Sequence, residues 1–444
     1  MRTLTLLLHR NQTLQALLII AISILIALMY ATDRVNQVVM LGGVLLFVLL
    51  VWDLRIIVPL QIVLVPMGPR YEMWFGNLYV ATPVMIIACV AWILRNFLKT
   101  TRFSFPRNPV LPALVVFLMV LALSAIQDLS ALLYDMPMFL RFIQFFFYSS
   151  LFMMVLQMDM SRKLIKGMLI LSITVGIAEG AIGVGQWISN PGYYVYGTFV
   201  GHHSSFALYI VFICMLLLGV LLETGRPAVA IGVLAGLGVL LVSFVLSFSR
   251  TGYISIIAGA ITFLGLPVRR SRKLGLLLGV AAILLISYSM IAEDIRIRAG
   301  SIISNLSGRD IGISLRLRLS MWEDVFRDFS TYPILGRGAW TYSTTDNFFL
   351  KILGEAGLIG LAAFLWLLSS IMRQEWKAIR AGVDDTFIRG IAVGLLPATI
   401  ACLIVFNLAG DMFGVHRFMG SFWIVLALAQ KYCLGAAAAG VGDA

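Results

Sequence analysis

Apolar runs of about 15–25 residues, close to what a bilayer span requires, recur along almost all of this 444-residue chain. Crossing a bilayer core as a helix takes about 20 such residues, and shorter runs serve where a helix is enclosed by protein. On that criterion the candidate spans lie near 14–31, 38–52, 54–68, 78–98, 109–126, 138–157, 164–187, 204–222, 228–247, 251–267, 274–291, 348–372, 388–408 and 418–434. The second and third are short, and Pro59 and Pro66 interrupt the third, so the two read as a re-entrant pair or one broken span. Lipid offers no partner for backbone N–H and C=O groups, so runs of this kind have to be helical. Composition excludes a soluble domain: 61% of residues are hydrophobic and 12% charged, against about 45–50% and about 25% in soluble chains. The expectation is an all-α polytopic membrane protein of about 12–14 transmembrane helices.

The basic residues orient the spans. With the N-terminus inside, the inner segments hold Arg2, Arg10, the Arg95 to Arg107 cluster, Arg162, Lys163, Lys166, Arg226, Arg269 to Lys273, and Arg373 to Arg389. Each group falls on an even-numbered boundary, as the positive-inside rule requires of fourteen spans with both termini cytoplasmic. The net charge of +12 therefore reflects cytoplasmic loops and not a nucleic-acid partner. The expected organisation is transmembrane helices over 1–291 (about eleven spans), a hydrophilic outer loop over 292–347, about three further spans over 348–434, and an unstructured tail over 435–444. The first apolar run lacks an A-x-A exit and reads as an uncleaved anchor. Cys89, Cys214, Cys402 and Cys433 stand singly inside apolar runs, with no spacing for zinc or disulfides.

On the outer side twelve arginines face a single lysine, Lys351, where topology disfavours both. A guanidinium presents a planar fork suited to bidentate phosphate binding, whereas an ammonium is a point charge. The bias reads as a surface for a phosphate-bearing ligand, or as arginines snorkelling to headgroups. Within the outer loop, Trp322, Val325, Phe326 and Phe329 keep helical spacing, predicting an amphipathic helix that Pro333 and the glycines of "ILGRG" terminate.

Three places put polar groups where they are expensive. "SFSRTGY" sets Arg250 between two apolar runs, with Ser247, Ser249 and Thr251 available to the guanidinium or to an anion; it reads equally as an interfacial residue. On the loop helix, Arg318 and Trp322 share a face at i,i+4, while Arg316 points roughly opposite. In "TTDNFFLKILGEAGLIG", Asp346 and Asn347 precede a membrane helix, and either is a helix cap or a carboxylate or amide beside a reacting hydroxyl. Glu355 is an acid inside the span, with Lys351 at i−4 as its expected partner. His202 and His203 lie at the outer mouth of another span, and His416 and Arg417 in the last outer loop, all candidates for sugar or phosphate contacts. Adjacent histidines diverge on a helix, so no metal site is expected, and Asp384 and Asp385 fall on the cytoplasmic side. The G-x-x-x-x-G-K-[ST], H-E-x-x-H and G-x-S-x-G signatures are missing.

Taken in order, Ser247 to Gly252, Arg318 to Trp322, Pro333 to Gly338 and Asp346 to Gly360 resemble the motifs of the bacterial O-antigen ligase and polymerase family. The resemblance covers roughly residues 200–365. It implies a GT-C-like, cofactor-free and metal-independent glycosyltransferase of the bacterial inner membrane, with its active site on the periplasmic face. It also implies an undecaprenyl-diphosphate-linked glycan donor, a glycan acceptor and a possible chain-length regulator as partners. Arg250 and Arg318 would then hold the diphosphate with Arg316 assisting, and Asp346 would activate the acceptor near Asn347. Where the ligase branch carries His before the Asn, this chain carries Asp346, which favours polymerisation over ligation or protein glycosylation. A flippase for the same lipid is the rival from another class; no inverted repeat supports it.

Overall fold

The computed structural model describes residues 35–68, 70–73, 76–99, 108–191, 193–199, 203–267, 313–339, 347–381, 383–405, 407 and 415–440. The expected spans near 14–31 and 274–291, including the uncleaved anchor, lie outside the described residues, as does the first part of the outer loop. The chain divides into two compact units, residues 1–57 with 83–104, and residues 58–82 with 105–444. In the smaller unit, α1 (Val35–Trp52) ends at Asp53, which caps a 3₁₀ turn over Leu54–Ile56 and pairs with the Arg55 guanidinium at 2.8 Å. Arg95, on α3 (Ala81–Lys99), donates to the carbonyl of Trp52.

The larger unit holds nearly everything else. Helix α2 (Ile57–Met67) leads to a short antiparallel hairpin, β1 (Arg70–Met73) with β2 (Gly76–Tyr79), in register Tyr71 to Leu78. This hairpin is the one departure from an all-helical fold among the described residues. Then follow α4 (Val110–Gln127), α5 (Leu129–Tyr134), α6 (Met136–Gln157), α7 (Arg162–Ser189), α8 (His203–Glu223), α9 (Pro227–Leu246) and α10 (Arg250–Gly265). After the loop come α11 (Ile313–Thr331), α12 (Phe348–Arg380), α13 (Thr386–Thr399), which continues as a π turn over Ile400–Val405, and α14 (His416–Gly440). Among the described residues seven helices are long and apolar enough to cross a membrane, or eight with the broken pair on either side of Asp53 counted as one span. Shorter apolar helices lie over Ala81–Phe97 and Thr251–Gly265. The chain is a polytopic helical membrane protein.

Helix α8 is the core of this bundle, with every residue from Phe206 to Leu217 buried. Its far half meets α13 through glycine: a Cβ on Gly219 would lie 2.2 Å from the Gly390 carbonyl and 2.5 Å from the Gly394 nitrogen. Lipid supplies no hydrophobic push between helices, so close approach through small residues is what holds such pairs. The four cysteines are buried, and none is in a disulfide.

Ion pairs show the helix directions. Lys166 at the start of α7 pairs with Asp385, the cap of α13, at 2.7 Å, and Arg389 pairs with Glu223 at the end of α8 at 2.6 Å. Arg162 stacks over Tyr432 of α14, and Lys431 donates to Leu156 at the end of α6. One end of the bundle therefore gathers the starts of α7 and α13 and the ends of α6, α8 and α14. Helix α14 runs on through the alanines to Gly440. Alanine has the highest intrinsic helix propensity, and a helix already nucleated extends through it.

Candidate functional site

At the end opposite those ion pairs, α9 turns into α10 through the "SFSRTGY" corner. Phe248 takes φ of +51°, the sole positive φ outside glycine among the described residues. Such a conformation is rare for a bulky side chain and persists only where the surroundings impose it. Ser249 caps α10 by accepting from Gly252 N at 3.2 Å, and the Ser247 hydroxyl donates to the Phe244 carbonyl at 2.6 Å. Both serines are buried. They shape the corner. Arg250 is left as the first residue of α10.

The loop helix α11 is present where spacing predicts it, with Val325 fully buried and Trp322 and Phe329 half-buried, but Phe326 is exposed. Arg316 is exposed and Arg318 half-buried. The Trp322 indole N–H is buried with no hydrogen-bond partner among the described residues. Arg327 pairs with Asp324, and Arg337 reaches back from the following turn to Asp328 at 2.7 Å. Those two outer arginines are thus committed within the loop itself.

The turn after α11 docks on a break in α12. Gly357 has φ of +63° inside that helix, and Gly336 has φ of +72° in the turn. Arg337 N and Gly338 N donate to Gly354 O and Glu355 O, while Leu358 N and Ile359 N donate to Pro333 O and Ile334 O. Four reciprocal backbone bonds fasten the Arg318 helix to the membrane bundle. From α4, the Ser124 hydroxyl also reaches the Glu355 carbonyl. At the head of α12, Asn347 is the cap, its Oδ1 accepting from Phe349 N at 3.0 Å and Leu350 N at 3.1 Å. Lys351 and Glu355 lie one turn apart, both buried. Asp346 and His202 lie outside the described residues.

The remaining candidates occupy different settings. His416 stacks on Tyr148, with ring centroids 6.0 Å apart. Arg417 is buried, and its guanidinium donates to the carbonyls of Pro66, Gly68 and Thr198 while lying over Phe199. The Thr198 hydroxyl sits 2.6 Å from both Pro66 O and a carboxylate oxygen of Glu179, an acid fully buried in α7. Two turns of helix beyond Glu179, Gln186 brackets the same loop, donating to Gly197 O at 2.6 Å and accepting from Gly197 N at 2.9 Å. His203 stacks on Tyr194 at 4.9 Å, and Tyr194 packs edge-on against Phe248 of the Arg250 corner. Sequence reasoning passed over Glu179, Gln186 and Thr198. The acid inside an apolar run was the available signal, since such residues are expensive in lipid.

Comparison with known families follows from these motifs. Residues 235–365 match the O-antigen ligase family model. All four motif stretches, Ser247 to Gly252, Arg318 to Trp322, Pro333 to Gly338 and Asp346 to Gly360, fall inside the match. It is the family that those motifs resemble. The helices before α9 and after the first turns of α12 lie outside the matched stretch. No curated protein matches the chain.

Proposed function

We propose that this protein polymerises undecaprenyl-diphosphate-linked oligosaccharide repeats into O-antigen or exopolysaccharide at the periplasmic face of the bacterial inner membrane. The observation that carries the reading is the family match over residues 235–365, which spans all four motif stretches. On the positive-inside rule the end bearing Arg162, Lys166, Arg389 and Lys431 faces the cytoplasm, which puts the Arg250 corner on the periplasmic side. There the donor diphosphate is held by Arg250 and Arg318, with Arg316 assisting. Charge develops on the leaving diphosphate as the glycosyl bond breaks, and fixed guanidinium donors aimed at it lower the barrier. The Trp322 indole shares the Arg318 face and packs beside the same ligand.

A hydroxyl of a second lipid-linked repeat attacks the anomeric carbon from the side opposite the phosphate. The new bond joins that oxygen to carbon, the carbon–phosphate oxygen bond breaks, and configuration inverts. The hydroxyl proton passes to Asp346. Asn347 already caps α12, so capping does not account for the acid beside it. A base within hydrogen-bond reach contributes about 10²–10⁴-fold.

Purified protein supplied with lipid-linked repeats should give a ladder of longer products, unaffected by a divalent-metal chelator. Arg250→Ala and Arg318→Ala should abolish it; an unchanged ladder rejects the donor site. A second reading, ligation to a lipid or protein acceptor, is favoured by the description of the matching family as O-antigen ligase. Exchanging the acceptor in the same assay separates the two.

A further inference from the structure

Beside the Arg250 corner, the loop between α7 and α8 borders a half-open cavity of about 520 Å³ lined by Gln186, Asn190, Tyr193, Tyr194, Tyr196 and His203. This loop precedes the matched stretch, so nothing in the family match assigns it. We infer that this cavity is a subsite for uncharged sugar residues of the glycan, distinct from the arginines that hold the diphosphate. The inference rests on the polymerase reading and adds where the sugar portion is gripped.

Among the described residues the lining carries no Lys, Arg, Asp or Glu, so it supplies no fixed charge to pair with a phosphate. It does offer ring faces and amide groups. A pyranose has an apolar face of C–H groups, which packs on an aromatic ring, and a rim of hydroxyls, which pair with planar amides and imidazole. The volume falls within the roughly 300–1,000 Å³ of ordinary ligand sites. Tyr193 is 75% exposed, so its ring surface is presented, while Tyr194, 47% exposed, keeps one side open beside its stack on His203.

The loop is also built to stay in place. Gln186 pins Tyr196 and Gly197, Glu179 receives Thr198, and Val195 N donates to Leu246 O at the end of α9. Tyrosines that merely anchor a chain in the interfacial region need no such scaffold. Through the Tyr194 contact with Phe248, two residues before Arg250, the cavity adjoins the corner that carries the proposed diphosphate ligand. A lipid-linked glycan whose diphosphate lies at Arg250 would lay its first sugars along these rings.

The test uses the full chain in nanodiscs and, as probe, the oligosaccharide released by mild acid from the host's own lipid-linked repeat. This probe has no diphosphate and so does not depend on the arginines. Saturation-transfer NMR should show magnetisation reaching its sugar protons. Tyr193→Ala should weaken binding about tenfold, in line with loss of one stacked ring, Asn190→Ala should weaken it several-fold, and Tyr193→Phe should retain it. Because Tyr193 is largely exposed, its removal does not threaten folding. No transfer to the wild-type protein, or unchanged affinity in both alanine variants, overturns the subsite. Tyr193-dependent binding combined with a product ladder indifferent to Arg250→Ala and Arg318→Ala keeps the subsite and rejects the polymerase reading instead.

Discussion

Gly336 fills the side-chain space of Gly357: a Cβ on Gly357 would lie 2.7 Å from the Gly336 nitrogen, while a Cβ on Gly336 would run into the Glu355–Ala356 backbone just before Gly357. Both have positive φ, and both sit in the contact that joins the α11 turn to α12. Gly336→Ala or Gly357→Ala should each cost about 1–2 kcal/mol for the left-handed backbone alone, plus the cost of parting the four backbone bonds. Thermal unfolding in detergent should show a drop of several degrees for either variant, with glycosyl transfer falling alongside. A variant as stable as the parent would mean the contact opens without cost.

The neighbours Asp346 and Asn347 should separate cleanly. Asn347→Ala removes the α12 cap and should cost about 1 kcal/mol of stability, with much of the transfer rate retained. Asp346→Asn should leave the unfolding temperature nearly unchanged and lower the rate about 10²–10⁴-fold. Paired melting and single-turnover measurements read both effects.

Arg417 should behave as a part of the scaffold. Its donors meet buried carbonyls of Pro66, Gly68 and Thr198, so Arg417→Ala leaves several buried acceptors unpaired, at about 1–3 kcal/mol each. The expected result is a sharp loss of folded protein, whereas Arg316→Ala at the exposed position should fold normally. If Arg417→Ala folds well and only raises KM, the residue touches substrate instead.

At the opposite end, burial pushes the Asp385 carboxyl up, but the Lys166 ammonium together with the backbone N–H groups of Ile388 and Phe387 holds it below its ordinary value of 3.8. A carboxylate depressed in the folded state stabilises fully above its unfolded pKa and loses that contribution as pH falls through the folded value. Asp385→Asn keeps the cap and removes the charge. Its unfolding temperature should therefore trail the parent at neutral pH and converge with it below about pH 3–4.

Much of this was legible in the sequence. Apolar run length located the helices, and the apolar spacing of Trp322, Val325 and Phe329 located α11, because both depend on local pattern alone. The arginines were harder. Arg337 and Arg417 read as outer-side arginines like Arg318, yet each is engaged by a group that only folding brings near, Asp328 and the Thr198 loop respectively. Composition shows charge, and it does not show which charges are already answered. Gly336 of "ILGRG" looked like a helix breaker; its reason is a backbone contact with Gly357, 21 positions on. The tyrosine loop gave no motif at all, since its rings matter only once Gln186 and Glu179 fold it against the Arg250 corner.

The central claim is that Arg250 and Arg318 grip one diphosphate. A cryo-electron microscopy map of the protein with undecaprenyl diphosphate bound tests it most directly. The account predicts diphosphate density within hydrogen-bond reach of both guanidinium groups, with the polyprenyl tail running into the bilayer. Diphosphate density elsewhere, or those two side chains pointing apart with no shared ligand between them, contradicts it.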